Sequence, residues 1–257
     1  MGRWLGEMNP AFAAIALAPG LAVGSFLNVV AARVPLHRSL VRPGSACMSC
    51  SAPIAWYDNI PLVSFFALRG RCRHCGTRIG LIYPAVELIS ALAVSGCVLA
   101  FGLTFRAAIA AFFCCVLVAI SAVDLEHRIV PDKIVLPATV LVLVAQTVRA
   151  PSLEWLLCAL GASFFLFLAV LAYPAGMGMG DVKLALLMGA ALGKLVAVAL
   201  MLGMIAALVP GLYLLARHGQ AARKMAIPFA PFLALGSIVA LFAGKWMLDA
   251  YLKLLGA

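Results

Sequence analysis

The stretch Gly176-Met177-Gly178-Met179-Gly180-Asp181-Val182-Lys183 places one carboxylate in an otherwise apolar part of the chain. It separates the apolar run 159–173 from the apolar run 184–192. An ionised side chain inside a membrane costs about 3 kcal/mol, so an acid here requires a function. Glycines lack a Cβ and therefore let irregular backbone approach another segment closely. We expect Asp181 to be a site residue, supported by Gly178, Gly180 and Lys183.

The composition places the whole chain in a membrane. Of the 257 residues, 65% are hydrophobic and 11% are charged, and the mean hydropathy is +1.12. One soluble core cannot bury that much apolar surface, so the sequence predicts an all-α polytopic membrane protein with membrane lipids around it. The net charge of +10 does not indicate a nucleic-acid partner, because the basic residues are scattered between the apolar runs.

Eight apolar runs of spanning or near-spanning length predict about eight transmembrane helices. The sixth run has only about a dozen residues, which indicates a half-helix or a misplaced boundary. Glu7 rather than a basic cluster precedes the first run, so we expect a retained span and not a removed signal. The runs are 11–31, 84–102, 105–123, 133–149, 153–173, 182–193, 195–216 and 228–250.

The distribution of basic residues predicts the orientation. With the N-terminus outside, thirteen of the 19 Lys and Arg residues fall in inner segments. This asymmetry makes the polar insertion 33–83 cytoplasmic. The third span then ends at Asp124 and the fifth leads into Asp181, so both carboxylates are expected at the cytoplasmic face. The inner segments are 33–83, 124–133, 174–183 and 217–224.

Asp124 lies in the second stretch of interest, Ser121–Asp132. It ends an apolar run, where the dipole of its own helix repels a negative charge. Two carboxylates in a partly dry site share one proton, which is the working arrangement of an aspartic protease. The simpler alternative makes Asp181 the N-cap of the sixth span and Asp132 the N-cap of the fourth.

The insertion 33–83 contains two Cys-x-x-Cys pairs with 21 residues between them. This spacing is typical of a tetrahedral Cys₄ zinc site, from which a small domain gains folding energy. Two structural disulfides are the alternative, which a reducing cytoplasmic compartment disfavours. The four cysteines are Cys47, Cys50, Cys72 and Cys75.

Glu87 stands a few residues inside the second span, where an acid normally pairs or lines a cavity, so we assign it a supporting role. A proton- or cation-coupled transporter would also use intramembrane acids such as Asp124, Asp181 and Glu87. Against this alternative, the two aspartates fall at one face of the membrane and the halves of the chain show no repeat. A non-catalytic assembly factor is a third hypothesis.

Together these motifs resemble the type IV prepilin peptidases, a family of membrane aspartic proteases with a Gly-x-Gly-Asp motif. The resemblance covers nearly the whole chain, and the combination of motifs is far more specific than Gly-x-Gly-Asp alone. It rests on the following stretches, besides the two cysteine pairs: Gly24–Val30, Tyr83–Glu87, Asp124–Asp132, Gly176–Lys183 and Ile227–Phe232.

The resemblance implies a catalytic pair of Asp124 and Asp181, with Asp132 supporting. It also implies a bacterial inner-membrane enzyme that cuts the leader from prepilins or pseudopilins and N-methylates the new N-terminus with S-adenosylmethionine. No residues that bind the methyl donor can be named. The expected domains are a first span 1–32, a zinc domain 33–83 and a protease domain 84–257, and the zinc domain either takes part in methylation or only braces the protease.

Overall fold

The chain is built from helices. The computed structural model describes residues 10–173, 177–219 and 227–254. Glu7, Gly176 and parts of the predicted inner segments 174–183 and 217–224 lie outside the described residues. The helices are α1 Pro10–Arg33, α2 Val63–Ala67, α3 Ile82–Phe101, α4 Phe105–His127, α5 Asp132–Arg149, α6 Glu154–Ala172, α7 Met179–Leu192, α8 Val196–His218 and α9 Ala230–Leu254.

Each of the eight apolar runs is a helix, and the described ranges contain no strand beyond two isolated bridges. Within the described ranges, six helical stretches are long and apolar enough to cross a membrane. One of them is the 39-residue stretch Met179–Arg217, which joins α7 and α8 through a short 3₁₀ turn. The predicted short run is therefore a 14-residue helix. The prediction of an all-helical, multi-pass membrane protein is confirmed.

The chain divides into two compact units, Met1–Ala122 and Val123–Ala257. In the first unit α1 and α3 pack antiparallel through glycines spaced four residues apart. A Cβ added to Gly20 would lie 2.7 Å from Ala91 Cα, and one added to Gly24 would lie 2.6 Å from Glu87 Cα. One turn further, Asn28 Nδ2 donates to the Tyr83 carbonyl at 3.0 Å. Small residues allow this close approach of two helix backbones in a membrane.

In the second unit small residues again allow close packing. On α7, Gly189 faces the α6 backbone, where an added Cβ would lie 2.5 Å from Ala159 Cα. On α9, Gly236 meets α8, where an added Cβ would lie 2.6 Å from Gly203 N. Gln146 of α5 donates its Nε2 to the Ala191 carbonyl of α7 at 2.8 Å. Because α7 is held by α5 and α6, its first turn has a defined position within this unit.

Candidate active site and metal centre

The two predicted catalytic acids lie in the second unit, and both are buried. Asp124 is 6% exposed and lies in the last turn of α4, whereas Asp181 is 8% exposed and lies in the first turn of α7. The two carboxylates are close enough to interact electrostatically. The structure thus brings together two acids that are 57 positions apart in the sequence.

Asp124 is stabilised by the start of another helix. The Ala230 backbone N–H donates to Asp124 Oδ2 at 3.0 Å, and the Phe229 backbone also contributes. Ala230 is the first residue of α9, and the first N–H groups of a helix have no partner inside it. The positive end of the α9 dipole therefore offsets the repulsion that Asp124 meets at the end of α4.

Asp181 is held by the backbone of its own motif. Its Oδ2 accepts the Gly178 N–H at 3.2 Å, while the Asp181 N–H donates to the Gly178 carbonyl at 3.1 Å. The N-cap residue of α7 is Gly178, and Asp181 is the third helical residue. The simpler alternative, in which Asp181 is the N-cap, is wrong, because its carboxylate reaches back toward the helix start.

The loop between α4 and α5 packs on the glycine motif. Arg128, the residue after α4, has φ 56° and donates its N–H to the Asp124 carbonyl at 2.9 Å. Two residues later Val130 covers Gly180, where an added Cβ would lie 2.8 Å from Val130 Cβ. A residue larger than glycine at position 180 would therefore displace the loop that follows Asp124.

Asp132 and Lys183 form an ion pair across the same two segments. Lys183 Nζ lies 2.7 Å from Asp132 Oδ1 and 2.8 Å from Asp132 Oδ2. The expectation that Asp132 is an N-cap is wrong, because Pro131 precedes α5 in that position and no side chain caps the helix. Asp132 instead ties the start of α5 to the first turn of α7.

Glu87 lies in the first unit and bonds the polar insertion. Its Oε2 accepts the Leu62 N–H at 2.8 Å, where Leu62 has φ 57°. Glu87 thus binds a backbone group of the segment that links α1 to α3. This hydrogen bond holds the segment against α3.

The four predicted metal ligands come together in the insertion. Their sulfur atoms all lie within 4.8 Å of one another, and Cys47 Sγ lies 3.7 Å from Cys75 Sγ. Hydrogen bonds from Thr77, chiefly from its side chain and also from its backbone, lower the pKa of the Cys75 thiol to about 6. This favours the thiolate, which is the form that binds metals.

The two cysteine turns repeat one backbone pattern with an offset of 25 residues. Cys47 N donates to Ala52 O at 2.9 Å, and Cys72 N donates to Thr77 O at 2.9 Å. The residue after each pair has a positive φ, 57° at Ser51 and 69° at Gly76. The insertion thus presents two equivalent turns, each offering two sulfur atoms to one point.

Sequence reasoning assigned no role to two contacts near these sites. Ala230 entered only as part of a motif, although Pro228 and Pro231 around it are a signal for a helix start. Arg73, between two of the cysteines, binds Asp58 with two hydrogen bonds of 2.7 and 2.6 Å. These bonds hold the pKa of the Asp58 carboxyl below its usual value and link the second turn to the segment before α2.

Comparison with known proteins yields two family matches. Residues 19–101 match the bacterial peptidase A24 N-terminal domain, and residues 111–213 match the type IV leader peptidase family. The chain is 34% identical to a prepilin leader peptidase/N-methyltransferase of Bacillus subtilis, over 91% of this chain and 96% of the relative. The protein of that name from Pseudomonas aeruginosa is also 34% identical, over 96% and 95% of the two chains.

A relative of the same name from Myxococcus xanthus is 47% identical, over 51% of this chain and 39% of the relative. No solved structure matches the chain.

Proposed function

Because the chain belongs to the type IV leader peptidase family, we propose that it is a membrane aspartic peptidase that removes the leader from prepilins or pseudopilins. The observation that carries the proposal is the buried pair Asp124 and Asp181, each with one carboxylate oxygen accepting a backbone N–H. Nothing in the comparisons favours a transporter.

In the proposed reaction the pair holds one proton. The ionised carboxylate takes a proton from water as its oxygen attacks the scissile carbonyl carbon, and the protonated carboxyl donates to the carbonyl oxygen. Collapse of the tetrahedral intermediate breaks the C–N bond, and the new amine takes up the proton gained from water. The backbone donors on Asp124 and Asp181 keep both carboxylates oriented through these steps.

The names of the relatives support a second activity, N-methylation of the new N-terminus. S-adenosylmethionine is the proposed methyl donor, and the transfer requires an unprotonated amine close to the donor's methyl group.

We assign zinc to the Cys47, Cys50, Cys72 and Cys75 group. A tetrahedral ion with Zn–S bonds of about 2.3 Å requires sulfur atoms about 3.8 Å apart, and the Cys47–Cys75 separation of 3.7 Å fits it. Four thiolates form a closed site with no position for substrate, so zinc would stabilise the fold of the insertion.

The proposed location is the bacterial inner membrane, with the acids and the insertion 33–83 on the cytoplasmic side, as the distribution of basic residues indicates. The proposed domains are a first span 1–32, a zinc domain 33–83 and a protease domain 84–257.

The test is cleavage of a purified prepilin by the purified chain, followed by mass spectrometry of the leader. Asp124→Asn and Asp181→Asn should each lower the rate by about 10³-fold or more, because the amide keeps the shape but cannot exchange the proton. Asp249→Asn, at an exposed acid on α9, is the matched control and should leave the rate unchanged. Substantial activity in either buried variant would remove that residue from the catalytic pair.

A further inference from the structure

The short helix α2, Val63–Ala67, buries a polar side chain and exposes apolar ones. A helix on the surface of a soluble protein does the reverse. Ser64 is 7% exposed and is held by two hydrogen bonds, donating to Tyr57 O at 2.9 Å and accepting from Ile60 N at 3.0 Å. Val63 and Phe66, in contrast, are 61% and 72% exposed. A surface helix in water turns its polar residues outward, so this face suits an apolar environment better than water.

The depth of α2 identifies that environment. Glu87, whose carboxylate accepts the Leu62 N–H, is the sixth residue of α3. Five residues of helix correspond to about 7.5 Å, and the 20 residues of α3 match the hydrocarbon thickness of about 30 Å. Leu62 directly precedes α2. This bond therefore places the start of α2 beside the N-terminal quarter of the membrane-spanning helix α3.

The charge around α2 favours an anionic surface. The segment 34–81 contains six Arg and one acidic residue, Asp58, which is already bound to Arg73. Arg69 and Arg71 follow α2 directly, and both are exposed. Exposed apolar side chains beside arginines are the combination that binds the headgroup region of an anionic leaflet.

We infer that α2 is an interfacial membrane anchor, in which Val63 and Phe66 enter the boundary between headgroups and acyl chains while Arg69 and Arg71 meet lipid phosphates. The bond from Leu62 to Glu87 sets the depth of this contact. The insertion would then be held to the membrane surface at α2 as well as at its two ends, where it joins α1 and α3. The inference does not depend on the proposed peptidase activity.

The test uses the full chain in nanodiscs of phosphatidylglycerol and phosphatidylcholine. A photocrosslinking residue is introduced as Phe66→benzoylphenylalanine, and lipid adducts are counted by mass spectrometry of the intact protein. The matched control is Met48→benzoylphenylalanine, because Met48 is 84% exposed in the same insertion but belongs to a cysteine turn. We expect at least about five times more lipid adduct at position 66 than at position 48.

Val63→benzoylphenylalanine is the second probe and should behave like the probe at 66. Equal yields at 66 and 48 would overturn the inference, as would crosslinks at 66 that join two copies or reach another segment of the same chain. Pure phosphatidylcholine should reduce the yield at 66 at least about two-fold. An unchanged yield at 66 in pure phosphatidylcholine would contradict the role of anionic lipid in this contact.

Discussion

Asp124 is a carboxylate at the C-terminal end of a helix, and a hydrogen bond from another helix stabilises it there. The dipole of α4 repels the negative charge of Asp124. The first N–H of α9, 106 residues away in the sequence, donates a hydrogen bond to the carboxylate. A hydrogen bond to a charged group contributes about 1.5–3 kcal/mol, and the helix dipole adds a further favourable interaction. One contact thus stabilises the acid and fixes its orientation.

We expect the variant Ala230→Pro to lower kcat by about 10-fold or more, since it removes the N–H that orients Asp124. Proline is tolerated at the first position of a helix, so α9 should still form. Cleavage kinetics and thermal unfolding are measured together. Pro231→Ala keeps the backbone N–H groups of Phe229 and Ala230 and serves as the control. Unchanged kcat in a folded Ala230→Pro protein would contradict the orienting role.

The Asp132–Lys183 ion pair should matter much less. Its side chains are 55% and 34% exposed, and exposed pairs contribute about 0.2–1 kcal/mol. We expect Asp132→Asn and Lys183→Met each to reduce cleavage less than about five-fold, with the double variant no worse than the singles. A loss at Asp132→Asn as large as that at Asp124→Asn would move the catalytic role along the loop.

At the scale of elements, glycines decide which segments touch. Gly20 and Gly24 set the register of α1 against α3, and Gly180 admits the loop that follows α4. Gly178 differs, because an added Cβ there would have nothing closer than Asp181 Oδ2 and Gly180 N, both at 3.8 Å. Two glycines of one motif therefore have different physical roles: one permits packing and the other begins a helix.

This difference is testable with two alanine variants. Gly180→Ala should lower cleavage at least about 10-fold, because overpacking against Val130 costs about 1–3 kcal/mol or shifts the loop that follows Asp124. Gly178→Ala keeps the N–H that binds Asp181 and should retain most activity. Val130→Ala should restore part of the loss in Gly180→Ala. Failure of that rescue, with Gly178→Ala equally damaged, would contradict the packing explanation.

At the scale of the whole molecule, the chain joins membrane-spanning helices to an insertion in which four cysteines meet. We expect about one zinc per purified chain and none in Cys72→Ser. Because the metal supplies folding energy locally, proteolysis of that variant should open the segment 33–83 while the helical circular dichroism stays intact. Fresh reduced protein without zinc would contradict the assignment.

The same variant separates the two proposed activities. If the insertion serves methyl transfer, Cys72→Ser should impair methylation of a pre-cut pilin at least as much as it impairs cleavage. Asp181→Asn should leave that methylation largely intact, because the role proposed for this acid is confined to the peptide bond. A cysteine variant that loses cleavage but methylates pre-cut pilin normally would assign the insertion a bracing role.

Much of this molecule follows from local patterns in the sequence. Apolar length predicts the eight helices, and the spacing of Cys47, Cys50, Cys72 and Cys75 predicts a four-sulfur cluster, because such properties depend on residues near one another. The short sixth run also predicts a short helix, and α7 has 14 residues. The N-cap roles of Asp132 and Asp181 were wrong, since capping depends on the backbone geometry of one or two residues.

The contacts that complete the site were decided only by the tertiary structure. The chain itself determined that it spans a membrane, where helices form and which residues can ligate or titrate. The donation from Ala230 to Asp124, the cover of Val130 on Gly180 and the bond from Leu62 to Glu87 join segments that no local period relates. The two hydrogen bonds form because helix ends and irregular segments leave backbone N–H groups unpaired, and a nearby carboxylate accepts them. The Val130 contact forms because position 180 has no Cβ.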